Sequence, residues 1–351
     1  MFKILIISSS TKWDLGRSYL RGFSILGAEA EIFDEQKFYK ENSFLASNRY
    51  GRRLFWRFLA GPLQKEILKT AKEKRPDLIL VFKGWLIKPQ TISDIKKILP
   101  QTLVFNFNPD NPFNTWHHGN SNYWIINSIP LYDVYFIWGK FLVEPLKKAG
   151  AKAVEYLPFG YDSKIHYPAE VSKKDREVYG SDIAFIGTWD KEREWWLNNL
   201  ITKDSIIKNL NLKIWGNLWE KANKKLQEKW QKKEMVGEEF SRVCGASKII
   251  LNFIRKQNGS SHNMRTFEIP ACRGFMLSNR TSEQIEFFKE GKEAEYFSNA
   301  IELKEKINYY LKNDELRNQI TIAGYEKLIK SGYSYMDRAK KIINIYKEIN
   351  G

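Results

Sequence analysis

The 351-residue sequence has few of the residues that hold disulfide frameworks and zinc sites together: two cysteines, Cys244 and Cys272, and four histidines. Two cysteines are too few for a disulfide framework, and their wide spacing does not resemble a zinc site, so we expect both to be core residues. No apolar run approaches the roughly 18 residues that a membrane-spanning helix needs. The apolar start, residues 1–7, is not followed by a cleavage site of small residues. The sequence therefore predicts a soluble, cytoplasmic protein.

Three common ligand-binding motifs are also missing. The first predicted strand is not followed by Gly-x-Gly-x-x-Gly, and no Walker loop occurs, which counts against a dehydrogenase and an NTPase. No Asp-x-Asp pair occurs either, although a divalent metal that holds a diphosphate usually needs clustered carboxylates. We therefore expect no metal ion and no cofactor.

The sequence does contain enough apolar material for two hydrophobic cores. Hydrophobic residues make up 43% and aromatic residues 15%. A single core seldom grows beyond about 250 residues, so we expect two domains. The net charge of +16 favours an anionic partner. Nucleic acid is one such partner, but the basic excess extends over both halves of the chain, which counts against a dedicated nucleic-acid surface.

One segment concentrates positive charge beside large apolar side chains. It contains Arg49, Arg52, Arg53, Trp56 and Arg57, with no acidic residue among them. Such a segment is typical of an amphipathic helix, which has two interpretations. Either its aromatic residues pack on the core and its arginines face water, or the helix rests on anionic lipid headgroups at the inner face of the plasma membrane.

Short apolar segments alternate with helical periodicity along the whole chain. This alternation predicts βαβ units and parallel sheets. Strands are predicted at residues 2–8, 30–33, 78–82, 102–107, 134–138 and 153–157, and again at 183–186, 213–215, 248–253, 274–277 and 294–297. The pattern predicts two Rossmann-like domains that face each other across a cleft, where open α/β sheets bind ligands.

The domain boundaries follow from the interruption of this pattern. Residues 158–180 contain prolines, glycine and mixed charge, as an interdomain linker would. We therefore expect an N-terminal domain at residues 1–165 and a C-terminal domain at residues 166–333. The last helix, residues 334–351, has one apolar face and is expected to pack back on the N-terminal domain.

The densest group of polar residues lies between two predicted strands, at residues 259–277. A Gly/Ser/Asn loop that begins a helix offers backbone N–H groups to a phosphate, and His262 and Arg265 are possible further donors. Glu268 lies three residues after Arg265, on the same helix face, and its carboxylate can accept from two ribose hydroxyls. The spacing is equally compatible with an exposed Arg265–Glu268 ion pair.

This block resembles the CgeB-like group of GT-B glycosyltransferases, which is related to the group 1 family. The resemblance rests on Asn263-x-Arg265-Thr-Phe-Glu268-Ile-Pro-Ala-Cys-x-Gly274 and on residues 290–293, 300–311, 323–325 and 335–338. It implies a hexosyltransferase in which residues 166–333 form the nucleotide-sugar domain, which holds a nucleoside-diphosphate sugar, and residues 1–165 form the acceptor domain. Glu268 matches the second glutamate of the group's Glu-x7-Glu motif, which holds the ribose, whereas the first glutamate is replaced by Ser260.

The resemblance also assigns residues to the donor diphosphate. It implies that His262, Asn263 and Arg265 line the diphosphate and sugar, and that Gly187, Thr188 and Arg193 face the diphosphate from the other side. Without a metal ion, positive groups of the protein would neutralise the departing nucleoside diphosphate, with Arg265 catalytic in this sense.

The acceptor site and any general base are expected in the N-terminal domain, at residues 106–119. Asp110 or His117 could take the acceptor proton in an inverting displacement. The alternatives are a Pro-Asp-Asn-Pro turn for Asp110 and a surface loop for His117 and His118. In a retaining enzyme a departing phosphate oxygen replaces the base. The acceptor is expected to be a glycan, a lipid-linked group or a protein, and a catalytically silent sugar-binding scaffold stays an alternative because of Ser260.

Overall fold

A computed structural model describes residues 1–9, 13–41, 60–114, 121–201 and 210–351. The chain forms two compact units. The first consists of Met1–Pro158 together with Tyr335–Gly351, and the second of Phe159–Ser334. Each unit contains one parallel β-sheet flanked by helices. The prediction of an α/β fold with two Rossmann-like domains is confirmed.

The described residues of the first unit form a six-stranded sheet in the order β2-β1-β3-β4-β5-β6, and those of the second a five-stranded sheet in the order β11-β10-β9-β7-β8. The strands are β1 (Lys3–Ser8), β2 (Glu29–Asp34), β3 (Leu78–Phe82), β4 (Leu103–Asn108), β5 (Val134–Ile137), β6 (Val154–Tyr156), β7 (Ile183–Ile186), β8 (Leu212–Trp215), β9 (Ile249–Asn252), β10 (Met276–Asn279) and β11 (Glu295–Phe297). Each predicted strand has its counterpart here. Central strands such as β3 are buried at every residue, which explains their unbroken apolar sequences.

The described helices are α1 (Leu15–Ile25), α2 (Glu35–Glu41), α3 (Gly61–Lys74), α4 (Pro89–Ile98), α5 (Tyr123–Ser128), α6 (Val143–Lys148), α7 (Lys173–Tyr179), α8 (Lys191–Leu200), α9 (Lys224–Gln227), α10 (Glu238–Ala246), α11 (Arg265–Ala271), α12 (Ser282–Phe287), α13 (Ala300–Lys312), α14 (Asp314–Lys330) and α15 (Tyr335–Asn350). None of the described helices is long and apolar enough to cross a membrane.

The terminal helix α15 packs against α1 within the first unit. A side chain at Gly22 of α1 would place its Cβ 2.9 Å from the carbonyl oxygen of Tyr335, so glycine allows the two helices to approach closely. The buried Arg338 of α15 donates through Nε to the carbonyl of Pro158 (3.0 Å). Apolar burial and a partly buried hydrogen bond together hold α15 on this unit.

The second unit begins earlier than the sequence suggests. Residues 159–180, expected as part of a linker, belong to it: Phe159, Tyr161 and Ile165 are buried, and Tyr161 donates its N–H to the carbonyl of Tyr333 (3.2 Å). The prolines and glycine of this segment do not prevent its aromatic and aliphatic side chains from packing into the core. Trp219 lies in the hydrophobic core of the same unit.

Two predicted features lie outside the described residues. One is the basic segment with Arg49, Arg52, Arg53, Trp56 and Arg57, and the other is the pair His117 and His118. The cysteine prediction is confirmed, since Cys244 and Cys272 are free thiols and both are buried.

Candidate functional site

The backbone that follows β7 is held in place at the carboxyl edge of the second sheet. Gly187 donates its N–H to the carbonyl of Trp215 (2.9 Å), and its own carbonyl accepts from the indole N–H of Trp219 (2.9 Å). Gly216 has a φ of +126° and lies directly against the Gly187 carbonyl. The turn at Gly187 and Thr188 is therefore fixed from β8 and from the segment after it.

Arg193 lies beside this turn because Asp190 begins helix α8 there. The Asp190 carboxylate accepts from the backbone N–H of Arg193 (2.9 Å) and pairs with its Nε (3.4 Å). Nη1 of Arg193 donates to the Thr188 carbonyl (2.7 Å). The structure thus brings Gly187, Thr188 and Arg193 together at the carboxyl end of β7, and their contact with a diphosphate stays a prediction.

Arg193 is one of three arginines at this edge. Burial lowers the pKa of Arg193 to about 10; Asp190 opposes this shift, and the neighbouring charges of Arg255 and Arg265 add to it. Arg255 also approaches Asp190, with 4.0 Å between Nη1 and Oδ2. Arg193 thus lies within electrostatic range of two further guanidinium groups, and such a cluster of positive charge favours a bound anion.

Arg265 and Glu268 form an ion pair on helix α11. The pair differs from the exposed one that the spacing allows, because the Glu268 side chain is only 3% exposed while Arg265 is 31% exposed. The guanidinium of Arg265 stacks on Phe240, 4.5 Å from the ring centroid, and its Nε reaches the carbonyl of Ile186 (3.4 Å). Glu268 is thus fixed inside the unit, whereas Arg265 reaches the surface.

Two residues of the site were missed by sequence reasoning. Arg255 lies in the loop after β9, and His166 lies in the segment expected as a linker. Nε2 of His166 is 3.6 Å from Oε1 of Glu268. Arg255 follows a predicted strand, and this position indicates the carboxyl edge of the sheet. No sequence pattern indicates that His166 lies near Glu268, because the two residues are about one hundred residues apart along the chain.

His262 does not lie where the sequence suggested. Its ring is fully buried among aromatic residues, including Phe267 and Phe287. Its Nε2 accepts from the backbone N–H of Phe159 (3.1 Å), so the proton is on Nδ1, which faces the carboxylate of Glu283 (3.1 Å). Both ring nitrogens are used within the unit, and His262 is a core residue rather than a phosphate donor.

The side chain of Asn263 also forms hydrogen bonds within the unit. Its Nδ2 donates to Oδ1 of Asn252 (2.8 Å), and its Oδ1 accepts from the backbone N–H of Thr266 (3.2 Å). These bonds connect the start of α11 to the end of β9. Asn263 therefore positions the helix that carries Arg265 and Glu268, and its side-chain amide is already engaged at both ends.

The first unit has its own polar group at the carboxyl edge of its sheet. Asp110 pairs with Nζ of Lys83 (2.6 Å), and its backbone N–H donates to Oδ1 of Asn108 (3.0 Å). Lys83 also lies 5.6 Å from the ring centroid of Trp85. Asp110 is thus both a turn residue and an ion-pair partner, while His117, the other predicted base, lies outside the described residues.

Glu35 is a further acidic residue of this edge that sequence reasoning missed. It begins helix α2 directly after β2, and it is only 4% exposed. Burial raises the pKa of its carboxyl group to about 8, and the charges of Asp34 and Asp14 add to the rise while Lys83 opposes it. A carboxyl group with this pKa can hold its proton at neutral pH.

Comparison with known proteins agrees with this architecture. Sucrose-phosphate synthase from Thermosynechococcus elongatus has a TM-score of 0.67 at 11% identity, with 99% of each chain covered. HepE of Anabaena, in complex with UDP and glucose, has the same TM-score and identity over 99% of this chain and 100% of that one. A glycosyltransferase from Rickettsia africae has a TM-score of 0.64 at 18% identity, over 99% and 98%. Likeness at these identities concerns the fold, which is the GT-B fold.

A family model adds sequence support for the second unit. The model described as "Glycosyl transferase-like" matches residues 191–344. These residues include Arg193, Arg255, Arg265 and Glu268 and therefore most of the candidate site. The C-terminal part of the chain is therefore similar in sequence to glycosyltransferases, whereas no curated protein matches the chain. The finer resemblance to the CgeB-like group stays a prediction.

Proposed function

We propose that this protein is a CgeB-like hexosyltransferase that uses a nucleoside-diphosphate sugar as donor and requires no metal ion. The donor lies at the carboxyl edge of the second sheet, with its diphosphate against Arg193, Arg255 and Arg265 and its ribose against Glu268. The observation that carries this proposal is the convergence of three guanidinium groups beside one buried carboxylate, inside the segment that matches a glycosyltransferase-like family.

The arginines have a role in the chemistry as well as in binding. Negative charge grows on the leaving nucleoside diphosphate as the bond to the sugar breaks. Cations that are already in place stabilise this charge more in the transition state than in the ground state. Arg265 is suited to this task because its guanidinium is oriented by Phe240 and Glu268 while part of it reaches the surface.

Uracil is the proposed base of the donor. Structures of Anabaena HepE carry UDP and UDP-glucose, and a structure of TarM from S. aureus carries UDP. We propose the same base for the donor of the present chain, whose fold resembles that of these proteins.

Metal independence is likewise proposed from the residues of the chain. No Asp-x-Asp pair occurs in the sequence, and the described ranges contain no group of three or more His, Cys, Asp and Glu that could hold a metal ion. If arginines replace the metal, EDTA should leave donor turnover unchanged. Loss of turnover with EDTA and recovery with Mg²⁺ or Mn²⁺ would contradict this part of the proposal.

The acceptor is proposed to be a glycan, a lipid-linked group or a protein, in the assembly of surface polysaccharide or another glycoconjugate. For an inverting reaction we propose Asp110 or His117 as the base, and for a retaining one no base is required. The basic segment at Arg49–Arg57 would bring the enzyme to an anionic membrane surface.

A thermal-shift panel of UDP, GDP, dTDP, ADP and CMP tests donor binding, because a ligand that binds only the native state raises the melting temperature. We expect the largest rise with UDP, its loss in Arg265→Ala, and its retention in Arg273→Ala. Arg273 is a matched control because its guanidinium also stacks on an aromatic ring, that of Tyr325 (4.5 Å).

Two further results would point elsewhere. UDP binding without any hydrolysis of UDP-sugars, in the absence and presence of acceptors, would favour a silent sugar-binding scaffold. Absence of any nucleotide response, together with salt-sensitive binding of DNA or RNA, would favour the nucleic-acid alternative.

A further inference from the structure

His166 is held beside Glu268 in a defined orientation. The turn at Asp162 fixes the histidine, because the carbonyl of Asp162 accepts from the backbone N–H of His166 (2.7 Å). The His166 ring is 11% exposed and meets Phe240 edge to face, with 5.7 Å between ring centroids. Backbone and side-chain contacts thus determine where the two ring nitrogens lie.

The hydrogen bonds of the ring determine where its proton is. Nδ1 of His166 accepts from the backbone N–H of Asp162 (3.3 Å), so Nδ1 carries no proton. Nε2 therefore carries the N–H, and it is Nε2 that faces Oε1 of Glu268 at 3.6 Å. The histidine presents a donor to the carboxylate.

The two oxygens of Glu268 consequently have different surroundings. Oε2 is paired with Arg265, whereas Oε1 faces His166 at a distance longer than a normal hydrogen bond. Arg265 and His166 both pack on Phe240, so two cationic or donor groups from distant parts of the sequence approach the carboxylate beside one ring. Oε1 keeps acceptor capacity for a hydroxyl group.

We propose that His166 is a positioning residue that orients Glu268 to accept the vicinal ribose hydroxyls of the donor nucleotide. The inference rests on the proposed function, since it needs a nucleoside diphosphate at this edge. Without the Nε2–H donor, the carboxylate loses one of its two orienting contacts. The cost should appear with ligands that have ribose hydroxyls and not with ligands that lack them.

The test compares UDP with 2′,3′-dideoxyuridine diphosphate in calorimetric titrations. The variants are His166→Asn, whose shorter amide cannot reach Glu268, and His166→Gln, whose amide N–H lies close to the position of Nε2. Tyr167→Phe is a control at the adjacent position. Melting temperatures establish that each variant is folded.

For His166→Asn we expect UDP affinity to fall about three- to tenfold, the effect of one lost polar contact, with dideoxyuridine diphosphate unaffected. The preference of the parent for UDP over the dideoxy ligand should therefore shrink. His166→Gln should keep most of that preference, and Tyr167→Phe should keep all of it.

Equal losses for both ligands, or no loss for either, would overturn the inference and leave His166 with a purely structural role. If His166→Asn does not fold, His166→Gln decides: it must preserve the preference for UDP, and an unpreserved preference overturns the inference. If neither UDP nor any other nucleoside diphosphate binds the parent protein, the proposed function fails, and the role of His166 fails with it.

Discussion

Gly216 lies so close to Gly187 that any side chain at residue 216 would collide with the backbone of the candidate site. A Cβ on Gly216 would be 2.3 Å from the carbonyl oxygen of Gly187, and the φ of Gly216 is +126°. Both conditions favour glycine. The close approach explains how β8 fixes the turn that follows β7.

Gly216→Ala should therefore destabilise the protein by more than about 2 kcal/mol, because strain and collision act together. It should also weaken UDP binding, since the collision displaces the turn at Gly187. Gly291→Ala is the matched control: its φ is +71°, but no heavy atom beyond Gly291 and its two chain neighbours lies within 4 Å of the added Cβ. Chemical denaturation of both variants measures the difference, and equal losses would contradict the role of the contact.

Glu268→Ala should weaken UDP binding by about 1–3 kcal/mol, because the ribose hydroxyls lose their acceptor. The change also leaves Arg265 without its carboxylate partner, so the melting temperature of the free protein should fall. Isothermal titration calorimetry measures the free energy of UDP binding directly. Unchanged affinity for UDP would remove Glu268 from the site.

Glu35 should give the first unit a distinctive pH dependence. Its native pKa is raised to about 8, so between roughly pH 4.5 and pH 8 the native state binds more protons than the unfolded state. The stability of the parent protein should therefore fall as the pH rises through this window. Glu35→Gln cannot ionise and should gain stability relative to the parent, on the order of 3 kcal/mol, between pH 5 and pH 9. A difference in unfolding free energy between the two proteins that stays constant across this pH range would disprove the raised pKa of Glu35.

Glu290 should show the opposite dependence. Arg280 and Lys306 bind its carboxylate (2.8 Å and 2.9 Å) and, with Arg280 the larger contributor, hold its pKa at about 2. The stabilisation is fully present above the ordinary pKa of 4.5 and is lost as the pH falls towards 2. Glu290→Gln should cost about 1–2 kcal/mol at pH 6, after allowance for solvent screening, and the difference from the parent should shrink towards pH 2. A constant difference would show that the lost contribution is not electrostatic.

The basic segment is tested through membrane binding. Replacing Arg52, Arg53 and Arg57 with serine should reduce binding to vesicles that contain phosphatidylserine, by about 1 kcal/mol for each arginine near the surface. Binding of the parent protein should weaken with added salt. Equal sedimentation of parent and variant with these vesicles would exclude the membrane role.

The strands and their order along the chain could be predicted because each is a local pattern. Parallel strands covered on both faces are continuous apolar runs, as in β3, and the turns between them contain recognisable Gly and Pro residues. Arg193, Arg265 and Glu268 lie on helices that follow strands, so the same local pattern indicates their place at the sheet edge. Their roles in donor binding rest on the family resemblance and stay predictions. A residue that directly follows a parallel strand lies at the carboxyl edge of the sheet, so its place can be predicted from the strand that precedes it.

The contacts of His262 and Asn263 could not be predicted in this way. Both lie in a polar loop, which suggested exposure, but the partners of His262 are Phe159 and Glu283, and Asn263 is joined to Asn252. The burial of a polar group depends on partners that are brought together only by folding. The same reason explains why residues 159–180, expected as a linker, belong to the second unit.

By itself the sequence determined the strands of the two parallel-sheet units, because local periodicity specifies them, and the spacing of Arg265 and Glu268 allowed an ion pair on α11 without deciding for it. Only the tertiary structure decided that Glu268 is buried, that His166 faces it, that His262 belongs to the core and that burial raises the pKa of Glu35. These properties depend on solvent exclusion and on contacts between residues far apart in the chain, and neither is encoded in any short segment.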